Sequence, residues 1–144
     1  MDRVDWHILE ELQADARLSF NELSRRVKLS PPAVAERVRR LHDAGVITGY
    51  HAAVDLERVG SPVRAVVVMD CYGPTCLLRD PDVATWPEIR QLYRVTGQGC
   101  SVLMVAVPTM PDFEELIDRL ARYGRPSSSM VLADLLPWKP VVAP

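Results

Sequence analysis

The apolar residues of this chain change their repeat once, across residues 55–62 (Asp-Leu-Glu-Arg-Val-Gly-Ser-Pro). Before that stretch they recur three and four positions apart. After it they alternate or run in β-branched blocks. A 3.6-residue period and a 2-residue period cannot share one element, so a helical unit must be followed by a sheet-containing one. The stretch between them ends in turn formers and reads as a linker. With 144 residues to divide, both units are small.

The helical unit carries its own punctuation. Asp2 and Asp5 resemble an N-cap box for a helix over 2–13, with Val4, Ile8, Leu9 and Leu12 on one face. Ser19 caps a second helix, with Glu22 three residues on and Phe20, Leu23 and Val27 as its apolar face. Lys28-Leu29 turns the chain, and Ser30 caps a third helix that has Pro31 at its first position. That helix runs to about Ala44, buries Val34, Val38 and Leu41, and stops at Gly45. Two short β-type runs, 46–48 and 50–52, then pivot on Gly49. Three short helices and a small hairpin make a winged helix-turn-helix.

Charge supports that reading. The chain has a net charge of −2, which argues against a polycation that coats nucleic acid indiscriminately. Residues 25–40, however, hold six basic residues against the single acid Glu36, a local +5 on an acidic body. The third helix of such a motif fits a major groove roughly 12 Å wide, where side chains reach base edges. Pro32, Ala33, Glu36 and Arg37 are expected on its exposed leading face. Arg37 can address guanine, and Glu36 can accept from cytosine or pair with Arg39 or Arg40 on its own helix. Arg25, Arg26, Arg39 and Arg40 are expected to hold phosphates or simply to solvate their helices, and the Ser30 hydroxyl can reach a phosphate while capping.

The second half alternates strands and helices. Strands are expected over 63–72, 89–95, 101–107 and 130–136, with a short helix from Asp80-Pro81-Asp82 to Trp86. An amphipathic helix begins at Thr109, presents Phe113, Leu116, Ile117 and Leu120, and ends at Gly124. The order β-α-β-β-α-β is the ferredoxin-like split unit, so the fold class is α+β. About 80 residues leave one sheet face bare, and a second copy of the chain is the expected cover. The divisions are 1–54 for DNA binding, 55–62 for the linker, 63–136 for the βαββαβ unit that pairs with a second copy, and 137–144 for a Pro-rich, extended tail.

The run Met1-Asp2…Asp5…Ile8-Leu9…Leu12…Asp15-Ala16-Arg17-Leu18-Ser19 resembles the opening of the Lrp/AsnC (feast/famine) transcriptional regulators. So do Leu29-Ser30…Val34…Arg37-Val38…Arg40-Leu41…Gly45-Val46-Ile47…Gly49-Tyr50, Leu56…Gly60 and Val95-Thr96-Gly97. The resemblance implies double-stranded DNA and a small-molecule effector, an amino acid or a related compound, as partners. It also implies a dimer whose larger form is an octamer of four dimers. By the same resemblance the effector loop is Gly97, Gln98, Gly99, Cys100 and Ser101, with Ser128 beside it. Two departures stand out. Lys28 occupies the turn where the family usually has Gly, and Cys100 stands where the family pattern has Asp.

Other classes find little support. The longest apolar run, 102–107, is far short of the ~20 residues a spanning helix needs, so no membrane partner is expected. The polar, acidic N-terminus does not read as a signal peptide, and three cysteines point to a reducing cytoplasm. Cys71 and Cys76 lack the spacing of a zinc clasp, and no His shares a half with Cys100 to activate it. No catalytic site, metal or cofactor is expected. The alternatives are a metabolite sensor that does not bind DNA and, by resemblance, a subunit similar to tetrapyrrole decarboxylases.

Overall fold

A computed structural model describes residues 1–136 and 138–144, and Pro137, the first residue of the expected tail, lies outside them. The chain forms two compact units, residues 1–53 with 136–144, and residues 54–135.

In the first unit α1 spans Arg3–Ala14, α2 Phe20–Val27 and α3 Pro31–Asp43. Asp2 and Ser19 build reciprocal capping boxes with Asp5 and Glu22. Each box satisfies amide groups that a helix N-terminus leaves without partners. Ile8, Leu23, Val27, Val34, Val38, Leu41 and Ile47 form one core. Phe20, expected on the buried face of α2, is 46% exposed. Ser30 begins α3 with extended backbone but makes no side-chain cap bond. Pro31 and Pro32 fill the first two helical positions, and Pro32 removes one of the two amides a cap would normally serve.

The expected wing is absent among the described residues. Val46 and Ile47 both donate their main-chain N–H to the Leu41 carbonyl, at 2.9 and 3.1 Å, closing the end of α3. Two three-residue strands with no third strand beside them are too short to hold a hairpin against that competing bond. The tail lies on α1 rather than standing free. Gln13 and the Val141 main chain exchange two hydrogen bonds of 2.9 and 2.8 Å.

The second unit is a four-stranded antiparallel sheet in the order β2-β3-β1-β4. Its strands are β1 (Val63–Cys71), β2 (Ile89–Arg94), β3 (Ser101–Val107) and β4 (Gly124–Met130). Helix α4, Met110–Leu120, is capped by Thr109 and packs Phe113, Leu116 and Leu120 against the sheet with Ala65, Val67, Met69, Leu103 and Val105. Register places Val66, Val68, Val102, Met104 and Tyr93 on the other face. There Val68 and Tyr93 are exposed.

Three expectations are corrected here. No α-helix joins β1 to β2; three 3-10 turns do, at Gly73–Thr75, Leu77–Arg79 and Pro81–Thr85. Prolines at 74 and 81 remove the amides a longer helix would need. The fourth strand is the polar run Gly124–Met130 and not the apolar 130–136, where Leu132 and Leu135 stand almost fully exposed. Finally, Gly124 opens β4 rather than stopping α4. A Cβ there would lie 2.2 Å from the Asp70 carbonyl oxygen, so only glycine lets this edge strand close on β1.

Candidate functional site

The turn between α2 and α3 depends on Lys28, whose φ of +55° is left-handed. Leu29 N–H reaches back to the Ser24 carbonyl at 3.1 Å, a Schellman-type closure that usually employs glycine. Lysine bears the steric cost, and α3 leaves the turn with its first residues open to solvent. Ser30, Pro32 and Glu36 are exposed, and Ala33 is half-buried beside them.

Arg37 departs from its expected place. Its guanidinium turns to α1, donating to Asp2 Oδ2 at 2.8 Å and to Asp5 Oδ1 at 2.6 Å. The Asp5 side chain is almost wholly buried, so Arg37 neutralises a carboxylate that solvent does not reach. The Asp5 amide and Arg37 hold the Asp2 carboxyl below its ordinary range. For Asp5, burial works in the opposite direction, but the Asp2 amide and Arg37 outweigh it and the pKa is again lowered. An arginine expected to read a base therefore ties α3 to the cap of α1. The signal was in the sequence, because the two acids of the capping box need a cation.

The remaining basic residues stay outward. Arg39 and Arg40 are exposed, Arg39 pairing with Glu36 one turn back and Arg40 standing 3.7 Å from Asp5. Arg26 pairs with Glu11 at 2.6 Å, and Arg25 is exposed with no ion-pair partner among the described residues. Pairs so exposed contribute little to stability and can be exchanged for phosphate contacts.

In the sheet unit the glycine loop connects β2 to β3. Gly97 (φ +114°) and Gln98 are exposed, while Gly99 packs where a Cβ would meet Val68 Cγ1 at 2.5 Å. Main-chain bonds from Cys100 to the Met69 carbonyl (2.7 Å) and from Val95 to the Cys100 carbonyl (3.1 Å) fix its base. The structure does not bring the whole expected set together. Ser101 is fully buried, and Ser128 lies on β4 opposite Val67, with strand β1 between it and the loop. The Cys100 sulfur lies 3.7 Å from Cys76 Sγ and 3.6 Å from Ser101 Oγ. Cys71 joins them, its sulfur 2.7 Å from that of Cys76. Sequence spacing gave no sign of this convergence, because the third sulfur comes from the glycine loop before β3.

Known proteins share both halves. Residues 1–42 match the AsnC-type helix-turn-helix domain, and residues 81–138 match the Lrp/AsnC ligand binding domain. The HTH-type transcriptional regulator LrpC of Bacillus subtilis is 33% identical over 135 residues, covering 94% of each chain. The regulator Rv2324 of Mycobacterium tuberculosis is 34% identical, covering 97% of each. Among solved structures, B. subtilis LrpC superposes with a TM-score of 0.90 at 32% identity, covering 96% of this chain and 99% of its own. The feast or famine regulatory protein Rv3291c of M. tuberculosis, solved with L-methionine, superposes with a TM-score of 0.91 at 31% identity, covering 99% of each chain.

Proposed function

This chain belongs to the Lrp/AsnC family of DNA-binding transcriptional regulators, and from that premise we propose how its two units divide the work. The exposed leading face of α3, with Pro32, Ala33 and Glu36, reads base edges in the major groove. Arg25, Arg39, Arg40 and the unbonded Ser30 hydroxyl hold phosphates, and Arg37 acts by fixing α3 against α1. The observation that carries this assignment is the contrast on one helix between Arg37, engaged by two carboxylates, and its exposed basic neighbours. A protein working on DNA in this way acts in the cytoplasm as a regulator and not as an enzyme.

The sheet unit supplies the pairing and the sensing. A second copy covers the face of Val66, Val68, Val102, Met104 and Tyr93, and the resulting dimer matches a pseudo-palindromic site; dimers then assemble four to an octamer. The loop Gly97-Gln98-Gly99 offers bare main-chain amides to an anionic group of the effector. With a thiol at Cys100 in place of a carboxylate, an ammonium group has no counter-charge there, so plain α-amino acids bind weakly.

Gel shifts with the DNA upstream of the chain's own coding region, against a scrambled duplex of equal length, test the DNA reading. A discrete complex on the first alone is expected, and equal binding to both would refute it. Calorimetry with amino acids and the matching keto acids tests the loop. Cys100→Asp is expected to improve amino-acid binding without changing ligand-free DNA affinity. Tight wild-type binding of an ordinary amino acid, unimproved by that change, would place the ammonium partner elsewhere.

A further inference from the structure

The sulfurs of Cys71, Cys76 and Cys100 all lie within 4.8 Å of one another. They come from three places in the chain: the end of β1, the junction between two 3-10 turns, and the glycine loop. All three residues are half-buried, and none forms a disulfide. Two of them fall in the stretch between the two family-model matches, so the cluster is not a feature those matches describe.

We propose that Cys71, Cys76 and Cys100 form a three-thiolate site for a divalent thiophilic cation of the zinc and cadmium class. A disulfide would use two sulfurs, whereas here a third is held beside the pair. Metal–sulfur bonds of ~2.3 Å separate tetrahedral ligands by about 3.8 Å. The Cys76–Cys100 distance of 3.7 Å already matches. The 2.7 Å Cys71–Cys76 contact must open by about 1 Å to reach that spacing. The Cys76 main chain can allow this, because its N–H bond to the Gly73 carbonyl is long at 3.4 Å and the turns flanking it have only three residues each.

Access and charge agree with this assignment. Cys76 also lines an open groove of about 510 Å³ with Arg79, Asp80, Arg122 and Tyr123. Three thiolates on a divalent ion carry a net charge of −1, and Arg79 and Arg122 against the Asp80 carboxylate leave that groove one positive charge to offset it. Binding releases one proton from each thiol as its sulfur bonds the ion, and no redox partner is needed. Burial opposes ionisation of Cys100, yet hydrogen bonds from Cys71, Ser101 and Cys76 bring its pKa below the ordinary thiol value. Burial and its two thiol neighbours push Cys71 up to about 12. A bound ion would tie the base of the glycine loop to the end of β1.

The test uses full-length, reduced, chelator-treated protein titrated with Cd²⁺, reading the ultraviolet thiolate-to-cadmium charge-transfer band. The proposal expects saturation at one ion per chain, and in the presence of Zn²⁺ the same end-point at a higher Cd²⁺ concentration. Cys71→Ser and Cys76→Ser, both outside the glycine loop, should each weaken binding about tenfold or more and lower the band by about a third. Alkylation of the wild-type protein, followed by mass, gives a check that needs no variant: Cd²⁺ should protect all three thiols together. Non-stoichiometric binding, a band unchanged in either variant, or a thiol alkylated as fast with Cd²⁺ as without would overturn the proposal. So would reduced protein that ignores Cd²⁺ but loses two thiols to a Cys71–Cys76 disulfide in air. Each result stands apart from effector binding at Gly97-Gln98-Gly99, which is measured with amino and keto acids.

Discussion

The helical unit and the sheet unit are held together by different kinds of information. In the first, the contacts that start the helices span three residues, Asp2 with Asp5 and Ser19 with Glu22, and the tie of Arg37 to Asp5 is the long-range exception. In the second, the decisive contacts are distant in sequence: Cys71 opposite Gly124, Val68 between Val102 and Ser127, Cys76 beside Cys100. Local contacts encode a shape that one short segment specifies, whereas distant ones encode a surface that several segments complete. The reading head belongs to the first kind. The proposed dimer face and the thiol cluster belong to the second.

The largest effect that could break this contrast is on the sheet face. Val68→Asp places an unpaired carboxylate on the face proposed to pair with a second copy, and should raise the dimer dissociation constant about a hundredfold or more. Sedimentation of the full-length chain checks it, and unchanged association would move the dimer interface away from this face.

Next is the tie beneath the reading helix. Asp5→Ala removes one half of a capping box and the buried partner of Arg37, and should destabilise the first unit by about 1–2 kcal/mol in thermal melts. The same tie sets an acid limit. Both folded carboxyl pKa values lie below the ordinary 3.8, so their stabilisation is complete above that pH and is lost as pH falls through the lowered values. Acid titration of Arg37→Ala should show less of this loss than wild type. On DNA, Arg37→Ala should weaken all sequences alike, in contrast to a base-reading arginine.

Smaller effects sharpen the picture. Arg40→Ala should lower affinity uniformly and reduce the salt dependence of binding by about one phosphate contact. Lys28→Gly should relieve the left-handed backbone and stabilise the first unit by about 0.5–1 kcal/mol, as read from denaturant midpoints.

The same contrast explains what could be read from sequence. Helix starts at Asp2, Ser19 and Thr109 were legible because a cap and its partner sit three residues apart. Strands β1 and β3 were legible because both are rich in apolar residues. Strand β4, Gly-Arg-Pro-Ser-Ser-Ser-Met, has no apolar pattern and exists because β1 pairs with it along its whole length. The apolar 131–136 stretch that follows is not a strand. The wing was misjudged because the Leu41 carbonyl takes the amides a hairpin would have used. At the site, the exposed basic residues were legible from charge. The inward turn of Arg37 was marked only by the two capping acids that need a cation, and the meeting of three cysteines depends on which elements pack together, which no spacing records.

The central claim is that the exposed face of α3 reads base sequence while its basic neighbours hold the backbone. Selection of binding sites from a random duplex library, run with wild type and Glu36→Ala, tests it most directly. Wild type should enrich a pseudo-palindrome, and Glu36→Ala should lose preference at one symmetry-related pair of positions while retaining the rest. Enrichment of no sequence by wild type, or an identical preference in Glu36→Ala, would contradict the claim.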